Sequence, residues 1–297
     1  MRLGLHALGI GSGADRTVID AVASAADNAG FATLWAGEHV VMVDRPASRY
    51  PYSDDGVIAV PAQADWLDPM IALAFAAAAS SRIAVATGVL LLPEHNPVVV
   101  AKQAASLDRL SGGRLVLGVG VGWFREEFEA LGVPFERRAA RTAEYVAAMR
   151  TLWRDDVASF SGDFVTFDRV RVNPKPVRDR RIPIVVGGNS DAAMRRVAAW
   201  ADGWYGFNLD GIDAVRERVV TLEQLCAESG RDRGELSLAV ALRNPRVGDV
   251  EALAELGVDE LVLVQAPPAA AGAVAGWVSA LADKWLSATG AVGRLPG

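Results

Sequence analysis

Eight times along this chain a short apolar run hands over to an amphipathic stretch of helical period, and this alternation limits the fold more than any other feature. Strands buried on both faces are continuously apolar, whereas a helix that covers them repeats its apolar residues every three or four positions. The strands fall at Leu3–Leu8, Phe31–Ala36, Ile83–Val89, Leu115–Val119, Ile184–Val186, Gly203–Gly206, Leu236–Ala241 and Glu260–Val264. Helices follow from about Thr17 to Gly30, from Pro69, and from Pro97 to Leu110, then over 125–131 and 138–153. The last four are Ser190–Ala201, Asp213–Ser229, Asp249–Leu256 and about Ala269–Leu286. Asn96-Pro97 is a cap followed by a first-turn proline, and Gly30 and Gly112-Gly113 are stops. Eight strand–helix pairs with no linker between them spell an α/β fold, a (β/α)8 TIM barrel; a doubly wound open sheet is the competing architecture.

Two segments interrupt the rhythm. Residues 37–68 carry Pro46, Pro51 and Pro61 around a polar stretch, Ser48 to Gly56, and are long enough to be a lid or binding loop. Residues 155–183 alternate around Phe164, Thr166 and Val170 before Pro174-Lys175-Pro176, which predicts an inserted hairpin and arm. The expectation is one barrel domain over 1–290, with 291–297 a frayed tail.

Composition narrows the class of partner. With 297 residues, 51% of them hydrophobic, a large core is available and disorder is excluded. A net charge of −6 lacks the basic field that nucleic acid requires, so no nucleic-acid partner is expected. The apolar run Met70–Ala79 is too short for a membrane span. One cysteine, Cys226, fits a reducing compartment, and strand-like sequence begins at Arg2, so a cytoplasmic protein is expected.

In a barrel, chemistry gathers where strands hand over to helices. The three histidines, His6, His39 and His95, all fall at or just after the ends of the first three strands. No His-x-His or His-Glu-x-x-His accompanies them, so no metal is expected. A Gly-x-Ser-x-Gly elbow is also missing, and Gly11-Ser12-Gly13 is a turn. Two glycine clusters stand at strand-to-helix junctions: Gly118-Val119-Gly120-Val121-Gly122-Trp123 and Gly187-Gly188-Asn189-Ser190. Two readings stay open for them: tight packing, or close backbone approach to a phosphorylated ligand. Asp108 and Arg114 bracket a turn and are expected to pair there; Arg178 to Arg181 form a basic, solvated loop.

These residues resemble the bacterial luciferase-like monooxygenase superfamily, in its coenzyme F420-dependent oxidoreductase branch. The resemblance rests on Leu34-Trp35-Ala36-Gly37-Glu38-His39, Thr87-Gly88-Val89, Leu107-Asp108-Arg109-Leu110-Ser111-Gly112-Gly113-Arg114 and Gly120-Val121-Gly122-Trp123 before Glu126-Glu127-Phe128. Pro174-Lys175-Pro176, Gly187-Gly188-Asn189 and Ala201-Asp202-Gly203-Trp204 continue it. It implies a (β/α)8 barrel with a flavin or deazaflavin at the carboxyl face, and a cis Gly88–Val89 bulge behind the ring. The implied cofactor-binding set is Thr87, Gly88, Val89, Gly120, Gly122, Trp123, Gly187, Gly188 and Asn189. The implied catalytic pair is His39 with Glu38, and Tyr50 and Tyr52 of the lid are candidate contacts for a small-molecule substrate. The expected activity is hydride transfer with coenzyme F420. FMN-dependent oxygen chemistry on the same fold is the alternative, and a non-catalytic flavin-binding barrel the second. A homodimer is compatible with all three.

Overall fold

In the computed structural model, which describes residues 1–289, the eight expected strands close on one another. The elements, in order, are β1 (Arg2–Leu8), α1 (Arg16–Ala29), β2 (Thr33–Ala36), α2 (Pro69–Ala78), β3 (Ala84–Thr87), β4 (Leu90–Leu91), α3 (Pro97–Ser111) and β5 (Leu115–Gly120). There follow α4 (Arg125–Ala130), α5 (Arg138–Arg154), β6 (Ala158–Ser161), β7 (Thr166–Val170), β8 (Ile184–Gly187), α6 (Asp191–Trp200) and β9 (Gly203–Leu209). The last are α7 (Gly211–Ser229), β10 (Ser237–Leu242), α8 (Asp249–Glu255), β11 (Glu260–Val264) and α9 (Ala271–Trp285). Parallel pairing runs β1-β2-β3-β5-β8-β9-β10-β11 and returns to β1, so the sheet is a closed barrel and the fold is (β/α)8. The open-sheet alternative is thereby removed. The expected tail, 291–297, lies outside the described residues.

Local chemistry sets the helix ends. Asp15 accepts from the Thr17 and Val18 amides at the start of α1, and Gly30 ends it in the left-handed region. Asn96 and Ser190 cap α3 and α6 in the same way. Every N-cap bond satisfies a donor that the first helical turn leaves without a partner.

The strands separate two apolar layers. Residues such as Leu5, Leu34, Leu117 and Leu238 face the ring of helices. Inside the barrel a smaller cluster holds Trp35, Ala86, Val185, Tyr205, Ala239, Ala241 and Val262. The lid is stitched to the β1–α1 loop by Gly11 N to Asp65 O and Leu67 N to Gly9 O, both at backbone hydrogen-bond distance. Within 155–183, β6 and β7 pair as an antiparallel hairpin, and the Lys175 ammonium that follows donates to the Leu152 and Asp155 carbonyls.

Two local expectations need correction. The third strand is not continuous over Ile83–Val89: it stops at Thr87, the Gly88–Val89 peptide is cis, and pairing resumes only at Leu90. Asp108 and Arg114 do not pair. Asp108 accepts from the Val177 amide of the inserted arm. Arg114 donates to the Ala77, Ser80, Ile83 and Ser111 carbonyls, tying α2, α3 and β3 together at the amino end of the barrel. The orphan carbonyls at two helix ends and a strand start attract a five-donor fork more than one carboxylate does.

Candidate active site

A column of side chains fills the barrel and sets the floor of its carboxyl mouth. Glu260 accepts from Trp35 Nε1 (2.9 Å) and Thr33 Oγ1 (3.0 Å). Trp35 stacks on Tyr205 at 4.4 Å, and the Tyr205 hydroxyl meets His6 Nδ1 at 2.9 Å. Burial drives the His6 imidazole down to about 4, so it is neutral in this position. His6 lies directly beneath the cis peptide: a Cβ on Gly88 would stand 3.1 Å from its ring. Above that peptide, Val89 fits between Gly120 and Gly187, where Cβ atoms would approach its methyl groups to 2.7 and 2.8 Å. Two of the glycines singled out from sequence are therefore required by Val89 itself.

One wall carries two carboxylate–imidazole pairs, and they are not the pair that adjacency suggests. His39 Nδ1 meets Glu127 Oε2 of α4 at 2.8 Å, while Glu127 Oε1 accepts from the Val40 and Val41 amides. Glu38 turns the other way, accepting from the Leu91 amide and from His95 Nε2 at 3.0 Å. Glu38 thus does not orient His39. Burial opposes a charge on His95, but the hydrogen bond and charge of Glu38 outweigh it and leave the imidazole raised. His39 Nε2 has no protein partner among the described residues, and the ring meets Trp66, Trp123 and Phe124 edge-on at 4.8 to 5.9 Å. A third carboxyl, Glu94, lies buried beside both pairs with neither oxygen hydrogen-bonded.

The opposite wall comes from β8, β9 and the lid. Tyr50 packs on Trp123 and Tyr52 on Phe207, and Asn208 Nδ2 donates to the Tyr52 carbonyl. Gly188 has φ +117°, and a Cβ there would meet Ala193 Cβ at 3.3 Å and the Tyr52 hydroxyl at 3.7 Å. Asn189 is committed to the Phe207 backbone through both ends of its amide, and Thr87 Oγ1 to the Gly118 carbonyl. Neither side chain is free for a ligand, and Thr87 is wholly buried. One turn into α6, Arg196 has a buried Nε with no partner and lies close enough to Tyr52 for their charges to interact. Between the lid and the Trp123–Phe124 stack is a cavity of about 440 Å³ lined by Met42, Val57, Ile58 and Val60. Among the described residues no three His, Cys, Asp or Glu side chains are grouped to hold a metal ion.

Of the residues named from sequence, the structure brings His39, Glu38, Gly88, Val89, Gly120, Gly122, Trp123, Gly187, Gly188, Tyr50 and Tyr52 to one end of the barrel. Sequence reasoning missed Glu127, Glu94 and Arg196 as site residues. Glu127 was in view within a family motif, but its 88-residue distance from His39 gives no local sign of pairing.

Comparison with known proteins agrees with the fold. The profile of the luciferase-like monooxygenase family matches residues 4–290. An uncharacterized protein of Mycobacterium tuberculosis is 38% identical over 273 residues, covering 91% of this chain and 95% of that protein. The FMNH2-dependent dimethylsulfone monooxygenase of Pseudomonas putida is 33% identical over 156 residues, 52% of this chain and 42% of its own. In fold, the chain is similar to the coenzyme F420-dependent tetrahydromethanopterin reductase of Methanopyrus kandleri, with a TM-score of 0.74 at 16% identity over 96% of this chain and 98% of that one. With a closed barrel and a profile match along almost its whole length, the chain belongs to the luciferase-like monooxygenase family of oxidoreductases.

Proposed function

We propose that this protein is a coenzyme F420-dependent oxidoreductase that exchanges a hydride with a small organic substrate. The observation that carries the reading is His39, anchored through Nδ1 by Glu127 and left without a protein partner at Nε2 among the described residues, against Trp66 and Trp123. A hydride delivered to a carbonyl carbon must be matched by a proton at oxygen, and an imidazole nitrogen can give or take that proton. The residues present fit a phosphorylated cofactor: Gly188 places no side chain in front of α6, and the Arg196 Nε is an unused donor for an anion. When bound, the deazaflavin supplies the hydride.

The chain's own residues then do the rest. Val89, held by Gly120 and Gly187, backs the cofactor ring. Gly188, Asn189 and Arg196 hold the phosphate side, and Gly122 and Trp123 border the mouth. Glu127 fixes the His39 ring so that Nε2 gives or takes the proton at the substrate oxygen. Glu38 keeps His95 and the Leu91 amide in place behind it. Tyr50 and Tyr52 exclude water, and the lid cavity receives the substrate. The reading includes a cytoplasmic protein acting as a homodimer. Ile71 and Phe75 on α2 and Val99 and Leu110 on α3 are exposed apolar residues at spacings that keep each pair on one helix face.

A second reading is carried by the Pseudomonas putida relative: reduced FMN in the same mouth, with molecular oxygen as co-substrate. Titration of the purified protein with coenzyme F420 and with FMN, followed by absorbance and thermal shift, separates the two. Binding of F420 alone is the expected result. Binding of FMN alone overturns the first reading in favour of the second, and binding without turnover by either points to a non-catalytic barrel.

A further inference from the structure

The scheme above takes no residue from the ends of β10 and β11, the seventh and eighth strands of the barrel. Along β10, Leu238, Val240 and Leu242 face the helices, while Ala239 and Ala241 face the barrel interior. Arg243 comes next on the inward side, so this cation stands at the carboxyl mouth. Its amide donates to the Leu209 carbonyl at 2.9 Å, which fixes the root of the side chain. β11 alternates in the same way: Val262 is inside, and Val264, two residues on, is 46% exposed. An inward valine that stays in water marks a mouth left open above it. Phe207, near the end of β9, packs on the interior cluster and meets Tyr52 of the lid.

The Arg243 guanidinium is poorly matched where it lies. Nη1 reaches both oxygens of Asp54 at the lid tip, but only at 3.3 and 3.4 Å, and the Asp54 side chain is 89% exposed. A pair so long and so wet holds little. No other carboxylate pairs with Arg243 among the described residues. Nε is buried without a partner, and Nη2 has no protein partner among the described residues. Nε and Nη2 form the edge of a guanidinium that presents two parallel N–H groups to one carboxylate or phosphate, and here that edge is unused. Asp54 directly precedes Asp55 and Gly56, which line the lid cavity. We propose that Arg243 binds an anionic group of the substrate, a carboxylate or phosphate, beside Val264 and Phe207, and that the substrate is therefore an organic anion. The inference rests on the reading of this mouth as the place of hydride transfer. Barrels commonly hold a ligand's phosphate at the loops after the seventh and eighth strands. The cofactor's phosphate is already provided for at Gly188 and Arg196, which leaves Arg243 to the substrate.

The test uses the whole protein free of cofactor, labelled with 15N-arginine, with benzoate as the probe and benzyl alcohol as its uncharged counterpart. The Arg243 Nε–H resonance, assigned by its loss in R243Q, should move and saturate with benzoate and stay in place with benzyl alcohol. Calorimetry gives the affinities. R243Q should bind benzoate about tenfold more weakly or worse, and D54N about two- to fivefold more tightly, because a competing carboxylate is gone. Circular dichroism reports the fold, and R243L is read in the same way should R243Q not fold. No response to benzoate, an equal response to benzyl alcohol, or a D54N protein that binds benzoate no more tightly than the parent overturns the proposal and leaves Arg243 a tether for the lid. The second arm titrates R243Q with F420 and with FMN. Affinity within about threefold of the parent is expected, whereas a loss of about tenfold gives the anion to the cofactor and overturns its assignment to the substrate. The first arm uses no cofactor, so a failure of the F420 reading leaves it unaffected.

Discussion

His39 and Glu127 form a unit in which each makes the other's burial tolerable. Replacing His39 by Ala should leave cofactor binding intact while slowing the chemical step by about 10²–10⁴-fold, the range for a lost general acid–base group. Single-turnover hydride transfer on cofactor-saturated protein measures this, and an undiminished rate in a folded variant rejects the assignment. Glu127→Ala does more damage to the fold, because the Val40 and Val41 amides lose their acceptor along with the imidazole. A cost of about 2–4 kcal/mol follows, readable by denaturant unfolding. Glu94 carries a pH dependence of opposite sense to a salt-bridged acid. The folded protein keeps its proton to about pH 9, whereas the unfolded chain releases it near 4.5. Between those values the native state binds more protons, so stability falls as pH rises; below 4.5 both states are neutral and the effect vanishes. Relative to E94Q, the parent should lose on the order of 1 kcal/mol per pH unit between pH 5 and 8. A difference that stays constant over that interval contradicts the assignment.

At the scale of elements, the break between β3 and β4 organises the mouth. The chain leaves β3 at Thr87, turns through the cis bond, and lodges Val89 against β5 and β8. Glycine at 120 and 187 is a packing requirement of those strands before it is anything else. Gly120→Ala should cost about 1–3 kcal/mol through overpacking, and Val89→Ala in the same chain should recover most of it. Unfolding of the two single variants and the double variant checks the coupling; additive losses would mean that Val89 does not set the space at Gly120. The same strand ends explain why Glu38 and His39 diverge. Neighbouring residues of extended chain point to opposite sides, so one reaches back to His95 while the other reaches α4.

For the molecule as a whole, closure of the sheet is what converts eight repeated units into one site. Glu260, Trp35, Tyr205 and His6 come from β11, β2, β9 and β1, and their contacts exist only because those strands lie around one axis. The helices outside carry the remaining apolar surface, and α2 and α3 leave Ile71, Phe75, Val99 and Leu110 uncovered. If two copies associate through this face, Phe75→Asp should shift the protein from dimer to monomer in sedimentation velocity without altering the far-ultraviolet spectrum. An unchanged sedimentation coefficient moves the interface elsewhere.

The sequence by itself determined the parts: eight apolar strands, their capped helices, the inserted hairpin, and the end of the barrel at which His39, Glu38 and the glycines gather. Those features depend on residues within a few positions of one another, where period, caps and turn residues act directly. Only the tertiary structure decided partners. His39 with Glu127, Glu38 with His95, and Arg114 with four carbonyls instead of Asp108 are choices fixed by strand register and helix packing in a closed sheet. The lone state of Glu94 is the clearest case. Nothing in Leu92-Pro93-Glu94-His95 marks that carboxyl as buried, and it becomes so because α4 and the end of β2 bring two other carboxylates, each with its imidazole already in hand, to the same place.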